Sequence, residues 1–299
     1  MVWTCTMSAL SDLLAILDLE PLENNLFQGR SLDVGWKRIY GGLVISQALV
    51  AAMRSVDLGL KPHSLHAYFI LPGDPAKPIV YAVERLRDGR SFATRRVVAQ
   101  QDGIAIFALS ASFQKEEIGH DHQWPMPEVP EPESLMAEKD LVASFKHQLP
   151  QNVQRYFLRD RPIELRPVSL KRYLGMSLSE AERTRSAQNV WFKATGPLPD
   201  DPAVHLAVLA YASDMTLLDT ALVAHSKSVF DADIQAASLD HAMWFHRNFR
   251  MDDWLLYVQD SPSGSGARGL ARGLIYARDG RLVASVAQEG LLRPRTGQI

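Results

Sequence analysis

Two stretches, FATRRVVAQQDGIAIFALSASF (92–113) and LARGLIYARDGRLVASVAQEGLL (270–292), read as copies of one another. Their Asp-Gly pairs, Asp102-Gly103 and Asp279-Gly280, lie 177 residues apart, and the strands on either side align without gaps. Apolar residues alternate through both, and Asp-Gly between alternating runs is a strong hairpin signal. The similarity extends upstream, where SLHAYFILPG begins at Ser64 and SLDHAMWFHR at Ser238. Aligned at that spacing, Gln288 falls opposite Ala111. A duplicated unit that keeps its apolar pattern but differs in one polar side chain points to a shared scaffold with chemistry kept in one half.

Each copy is preceded by a helix with no polar face. GLVISQALVAAMRSV (42–56) has only Ser46 and Gln47 as polar residues before Arg54. AVHLAVLAYA (203–212) has only His205, with Pro202 at its first turn. A helix that is apolar all round must be enclosed by other elements. Strands are expected at about 64–71, 78–87, 92–101 and 104–114, and again at 188–196, 236–246, 254–260, 267–277 and 281–292. Asp-Gly turns at 88–89 and 102–103 should close hairpins. The pattern is a sheet curled around a helix, twice, an α+β architecture of two fused units. Residues 8–19 predict a short amphipathic helix with Leu10, Leu13, Leu14 and Leu17 on one face. The stretch from Leu26 to Tyr40 reads as a strand pair. Pro125, Pro127, Pro130 and Pro132 among charges mark a surface linker. The expected division is an N-terminal unit at 8–115, a linker and connecting region at 116–160, and a C-terminal unit at 161–293.

Composition restricts the function classes. At 46% apolar and 22% charged, the 299-residue chain is ordinary globular protein. A net charge of −2 provides no basic field for nucleic acid. The lone cysteine, Cys5, cannot form an internal disulfide, which fits a reducing cytoplasm, and its place in the irregular leader argues against a catalytic thiol. Neither a signal peptide nor an apolar run of about 18 residues is evident, so no membrane span is expected.

The segments LFQGRSLDVGWKRIYGGLVISQAL, HSLHAYFILPGDP, YASDMTLL, ASLDHAMWFHR and DGRLVASVAQEGLLR, in this order over nearly the whole chain, resemble the type II acyl-CoA thioesterases, the TesB-like family. The resemblance implies a double hotdog fold and hydrolysis of acyl-CoA to a free fatty acid and CoA, without metal or cofactor. It also implies three catalytic residues that orient a water: Asp214 in YASD, Ser238 in ASLDH and Gln288 in SVAQEG. Many relatives carry Thr where this chain has Ser238, and either residue supplies a hydroxyl.

These side chains suit the reaction on chemical grounds as well. Water attacking a thioester needs an acceptor to orient it and donors where negative charge develops on the carbonyl oxygen. Asp214 ends an enclosed apolar helix, so partial desolvation should raise its pKa. Ser238 and Gln288 can each donate and accept. Backbone N–H groups near Gly41 and Gly42, at the start of the first enclosed helix, are candidates for the oxyanion or substrate site. Arg90, Arg95 and Arg96 are candidates for the CoA phosphates, with solvated surface charge as the plain reading. His63, His66, His241 and His246 sit in strands among aromatics and are expected to make structural hydrogen bonds. An acyl chain should lie in an apolar tunnel between the units, and association into a homo-oligomer is expected because exposed sheet edges tend to be paired. The rival readings are a hotdog enoyl-CoA hydratase, using Asp200 and His205 of DDPAVH, and a non-catalytic acyl-CoA binding protein.

Overall fold

The structure, a computed structural model, describes residues 8–31, 38–145, 154, 159–174, 178–183 and 186–295. Cys5 and the middle of the 26–40 stretch lie outside them. The first half comprises α1 (Ala9–Leu17), β1 (Glu20–Glu23), β2 (Leu26–Gly29), α2 (Gly41–Met53), β3 (Leu60–Phe69), β4 (Ile79–Asp88), β5 (Phe92–Gln101) and β6 (Ile104–Lys115). Three short helices, α3 (Glu138–Phe145), α4 (Leu170–Tyr173) and α5 (Glu180–Arg183), accompany β7 (Ile163–Pro167) and β8 (Ala187–Ala194). Then come α6 (Pro202–Ser213), a 3-10 helix (Leu218–His225), β9 (Ile234–Ser238), β10 (Asp240–Phe245), β11 (Leu255–Ser265), β12 (Arg268–Ala277) and β13 (Leu282–Pro294).

All the strands among the described residues join one sheet in the order β1-β2-β4-β5-β6-β3-β10-β13-β12-β11-β8-β7, with β9 also on β13. The halves meet at the antiparallel pair β3–β10, where Leu65 faces Met243. From that seam outward the order β3, β6, β5, β4 is repeated as β10, β13, β12, β11, so the duplication read in the sequence is a pseudo-twofold of the molecule. The sheet encloses α2 and α6, which lie antiparallel: Ser46 Oγ donates to the Ala207 carbonyl at 2.6 Å, and Tyr40 OH to that of Tyr211 at 2.9 Å. Small residues permit this approach. A Cβ on Gly42 would sit 2.3 Å from the Tyr211 carbonyl oxygen. The hydroxyl of Ser46 and the amide of Gln47 are fully buried and bonded, Gln47 by Tyr81 OH and the carbonyls of Ile16 and Arg30. This answers how the two polar residues of that helix are accommodated.

Several expectations change in detail. Of the three Asp-Gly pairs, only Asp102-Gly103 has both residues at positive φ, 49° and 78°, as a two-residue type I′ turn requires. At 88–89 the hairpin is longer, closed by the Gly89 N–H on the Phe92 carbonyl at 2.9 Å. Of the strand pair expected between Leu26 and Tyr40, β2 is formed and pairs with β1 through a turn at Asn25 with φ 62°, while residues 32–37 lie outside the described residues. The linker is bound down along its length. Trp191 Nε1 donates to the Pro130 carbonyl at 2.9 Å, Gln123 bridges Gly280 and Leu282, and Arg278 pairs with Glu131 and Glu133. The helical run Pro202–His225 is long and apolar enough to cross a membrane, contrary to the sequence expectation. However, 72% of its most apolar window is buried inside the fold, which is what a central helix wrapped by a sheet requires.

The stretch 236–246, expected as one strand, is two. The pairs Ser238–Gly290 and Ala242–Ala287 differ in register by one residue, so an extra residue is inserted between β9 and β10. Asp240 Oδ1 accepts the Glu289 N–H at 2.7 Å across the irregularity. Such a slip reverses the inside–outside alternation of the strand. Ser238 and His241, three residues apart, therefore both reach the same side chain on β13.

Candidate active site

That side chain is Gln288, fully buried in the middle of β13. Its Nε2 donates to Asp214 Oδ1 at 2.8 Å and to Ser238 Oγ at 2.7 Å. The three residues singled out from the sequence thus converge, from the end of α6, the end of β9 and the centre of β13. The Gly42 backbone N–H and the Ser238 hydroxyl also lie close enough to the Asp214 carboxylate to favour its ionised form. Gly41 is held to its type by the same carboxylate: a Cβ there would lie 2.7 Å from Asp214 Oδ2 and 2.9 Å from the Phe69 ring. The start of α2 and the end of α6 therefore form one side of the site.

Asp214 is only half-buried by area, yet protein closes around its carboxylate. Desolvation dominates and pushes its pKa up to about 6, against the opposing hydrogen bonds from Gln288, Gly42 and Ser238. Its position as the C-cap of α6 acts in the same direction, since the helix C-terminus carries partial negative charge. A carboxylate with that pKa is ionised at neutral pH and remains a useful proton acceptor.

The acyl-CoA thioesterase family model matches residues 153–291, and the model of the acyl-CoA thioesterase N-terminal domain matches 32–114. Acyl-CoA thioesterase 2 of Haemophilus influenzae is 39% identical over 284 residues, covering 95% of this chain and 98% of its own length. Human acyl-coenzyme A thioesterase 8 is 41% identical over 289 residues, covering 93% and 88% respectively. The chain belongs to the acyl-CoA thioesterase family. The crystal structure of acyl-CoA thioesterase II TesB2 from Mycobacterium marinum superposes with a TM-score of 0.78 at 43% identity, over 96% of this chain and all of that one. A hotdog-fold protein from Alicyclobacillus acidocaldarius, at 18% identity and a TM-score of 0.77 over 95% of this chain and 99% of its own, shares the fold. The protein is a double hotdog thioester hydrolase.

One expectation for this thioesterase needs correction, while Gly41 and Gly42 do lie at the site, beside the Asp214 carboxylate. Arg95 is fully buried, with Nε on Ser55 Oγ at 2.9 Å, Nη1 on the carbonyls of Arg87 and Thr94, and Nη2 on the Ser55 carbonyl and on Asp88. A guanidinium so enclosed has no face for a CoA phosphate. Arg90 and Arg96 are exposed and stay compatible with that role.

The hydratase pair is not assembled. Asp200 is almost wholly exposed and bonded to Arg250, whereas His205 is buried with Nδ1 accepting the Met251 N–H at 3.0 Å. Two of the histidines make the structural hydrogen bonds expected of them, His63 with Ser112 and His246 with Ser285, whereas His66 instead packs edge-on against Trp244. His241 does more. Its ring is buried directly behind Gln288, with Nδ1 3.3 Å from Oε1. The sequence signal for it is present in SLDH, but the one-residue slip that turns both Ser238 and His241 toward Gln288 is invisible to strand alternation. Among the described residues no three His, Cys, Asp or Glu side chains gather as a metal site.

Proposed function

We propose that this thioesterase hydrolyses fatty acyl-CoA by direct attack of water, with Asp214, Ser238 and Gln288 holding the nucleophile. The observation that carries this reading is the convergence of one ionisable acceptor and two polar groups within 2.7–2.8 Å contacts at the mouth of two buried helices. Asp214 takes a proton from the water as its oxygen bonds to the thioester carbon. The carbonyl becomes an oxyanion, the C–S bond then breaks, and the proton passes to the CoA thiolate. The positive end of the α2 dipole lies beside the carboxylate and favours the developing negative charge.

A single-turnover reaction in H₂¹⁸O tests this directly. One ¹⁸O should enter the carboxylate product, and intact-protein mass spectrometry should find no acylated enzyme at any time during turnover. An acylated species that forms and decays at the turnover rate refutes direct attack. Crotonyl-CoA hydration run in parallel should remain at background.

A further inference from the structure

The buried contacts behind Gln288 form a chain with a direction. Both amide hydrogens of Gln288 are committed to Asp214 and Ser238, so its Oε1 must face a donor, and the group there is His241 Nδ1 at 3.3 Å. On the other side of the ring, His241 Nε2 lies 2.9 Å from Ser213 Oγ. Burial drives the imidazole pKa down to about 4, so at neutral pH the ring carries one proton for two contacts. Only one assignment satisfies all partners. With the proton on Nδ1, the ring donates to Gln288 Oε1 and accepts from the Ser213 hydroxyl at Nε2. With the proton on Nε2, a bare Nδ1 lone pair would face the amide oxygen, and Ser213 would turn its hydrogen to the Ala210 carbonyl, 2.9 Å away.

We propose that His241 is a positioning residue, held as the Nδ1–H tautomer by Ser213 and fixing the Gln288 amide with its NH₂ toward Asp214 and Ser238. The inference rests on the reading above that Gln288 serves the reaction. The contact matters most once catalysis begins. While Asp214 is ionised, its charge alone keeps the amide nitrogen turned inward. When it takes the proton from water, that hold is lost, and the Nδ1–H is the contact that still opposes a flip of the amide. A flipped amide would present its NH₂ to Nδ1–H, donor against donor.

The test combines a measurement on the unaltered protein with two variants. In ¹⁵N-histidine-labelled enzyme at pH 7, the His241 imidazole should be neutral with Nδ1 protonated, the tautomer that is in the minority for free histidine in water. An Nε2–H signal overturns the proposal. His241→Leu fills the space without a donor and should lower kcat by roughly 10- to 100-fold, with KM within about 3-fold. His241→Asn restores an N–H near the Nδ1 position and should recover most of that loss. Equal losses in both variants, or an unchanged kcat in His241→Leu, would remove His241 from any positioning role. Gln288→Ala measured alongside separates the two levels. If Gln288→Ala is itself fully active, the catalytic reading fails; if it is impaired while His241→Leu is not, this inference alone fails. Should either variant not fold, the tautomer in the unaltered protein still decides.

Discussion

At equivalent places in the two halves, the layer of the sheet facing the end of a central helix is built differently. In the first half, Ala111 on β6 lies between Leu65 on β3 and Arg95 on β5. In the second, Gln288 on β13 lies beside Ala271 on β12 and touches His241 on β10. The polar group has changed strand. Arg95 donates to Ser55, just beyond α2, and its positive charge suits the negative end of that helix. Gln288 donates to Asp214, just beyond α6, where burial disfavours a negative charge more than the surrounding donors favour it. One half is filled by a fully bonded guanidinium, and the other retains a carboxylate in an unfavourable place. Unfavourable placement of charge is what gives a functional carboxylate its basicity.

If the halves divide the work in this way, the largest effect belongs to Asp214→Asn, which should lower kcat by roughly 10²-fold or more as the positioned base is lost. The same residue sets the pH dependence. Its folded pKa of about 6 lies above the ordinary carboxylate value of 3.8. Activity should therefore rise as pH increases through about 6 and fall tenfold per unit below it. The stability sign is opposite. Protonation favours the fold, so this residue's contribution declines by up to about 3 kcal/mol as pH rises from below 3.8 to above 6. Asp214→Asn should thus abolish the kcat/KM limb near pH 6 and leave thermal stability at pH 7.5 no lower. Loss of both activity and fold would contradict the account of a strained carboxylate.

Gln288→Ala comes next, with an expected loss of about 3 kcal/mol in transition-state stabilisation, roughly 10²-fold in kcat, and little change in KM. A rise in KM at constant kcat would move Gln288 from chemistry to substrate binding.

Arg95→Met reverses the pattern of effects. It removes a buried cation, leaving the Ser55 carbonyl short of a donor, and should destabilise the fold by about 2–4 kcal/mol in denaturant titration. Turnover per folded molecule should stay within about 3-fold. A specific collapse of kcat in a stable protein would show that the Arg95 layer, and not only the start of α2, takes part in catalysis.

The smallest effect is expected for Glu289→Ala. Glu289 faces away from Gln288 and pairs with Arg268 at 3.0 Å in a solvent-exposed contact, worth about 0–1 kcal/mol. A large loss of activity here would place the wrong residue of β13 in the site.

Much of this molecule is legible in its sequence because the signals are local. The Asp102-Gly103 turn, the alternation along 92–113 and 270–292, and the apolarity of 42–53 and 203–212, interrupted only by Ser46, Gln47 and His205, each specify an element from neighbouring residues alone. The offset between the two copies sets Gln288 against Ala111 by spacing only, and the family segments add Asp214 and Ser238 to it. The strand β7 escapes such a reading, since IELRP lies in a stretch crowded with Arg and Pro and shows its alternation only as the neighbour of β8.

The elements and their duplication are thus written in the chain itself, because turn geometry and periodicity depend on adjacent residues, and the family resemblance adds the three candidate polar side chains of the site. Tertiary pairing alone decided the rest. Arg95 looks like a surface cation beside a hairpin until the end of α2 is packed over it and its donors are taken by Ser55 and Asp88. The slip between β9 and β10 exists only because β13 pairs with both on one edge, and that slip turns Ser238 and His241 onto the same amide. Likewise the pKa of Asp214 belongs to no local motif. It arises where a sheet, two helix ends and a glycine N–H close around one carboxylate, excluding the water that would otherwise hold it near 3.8.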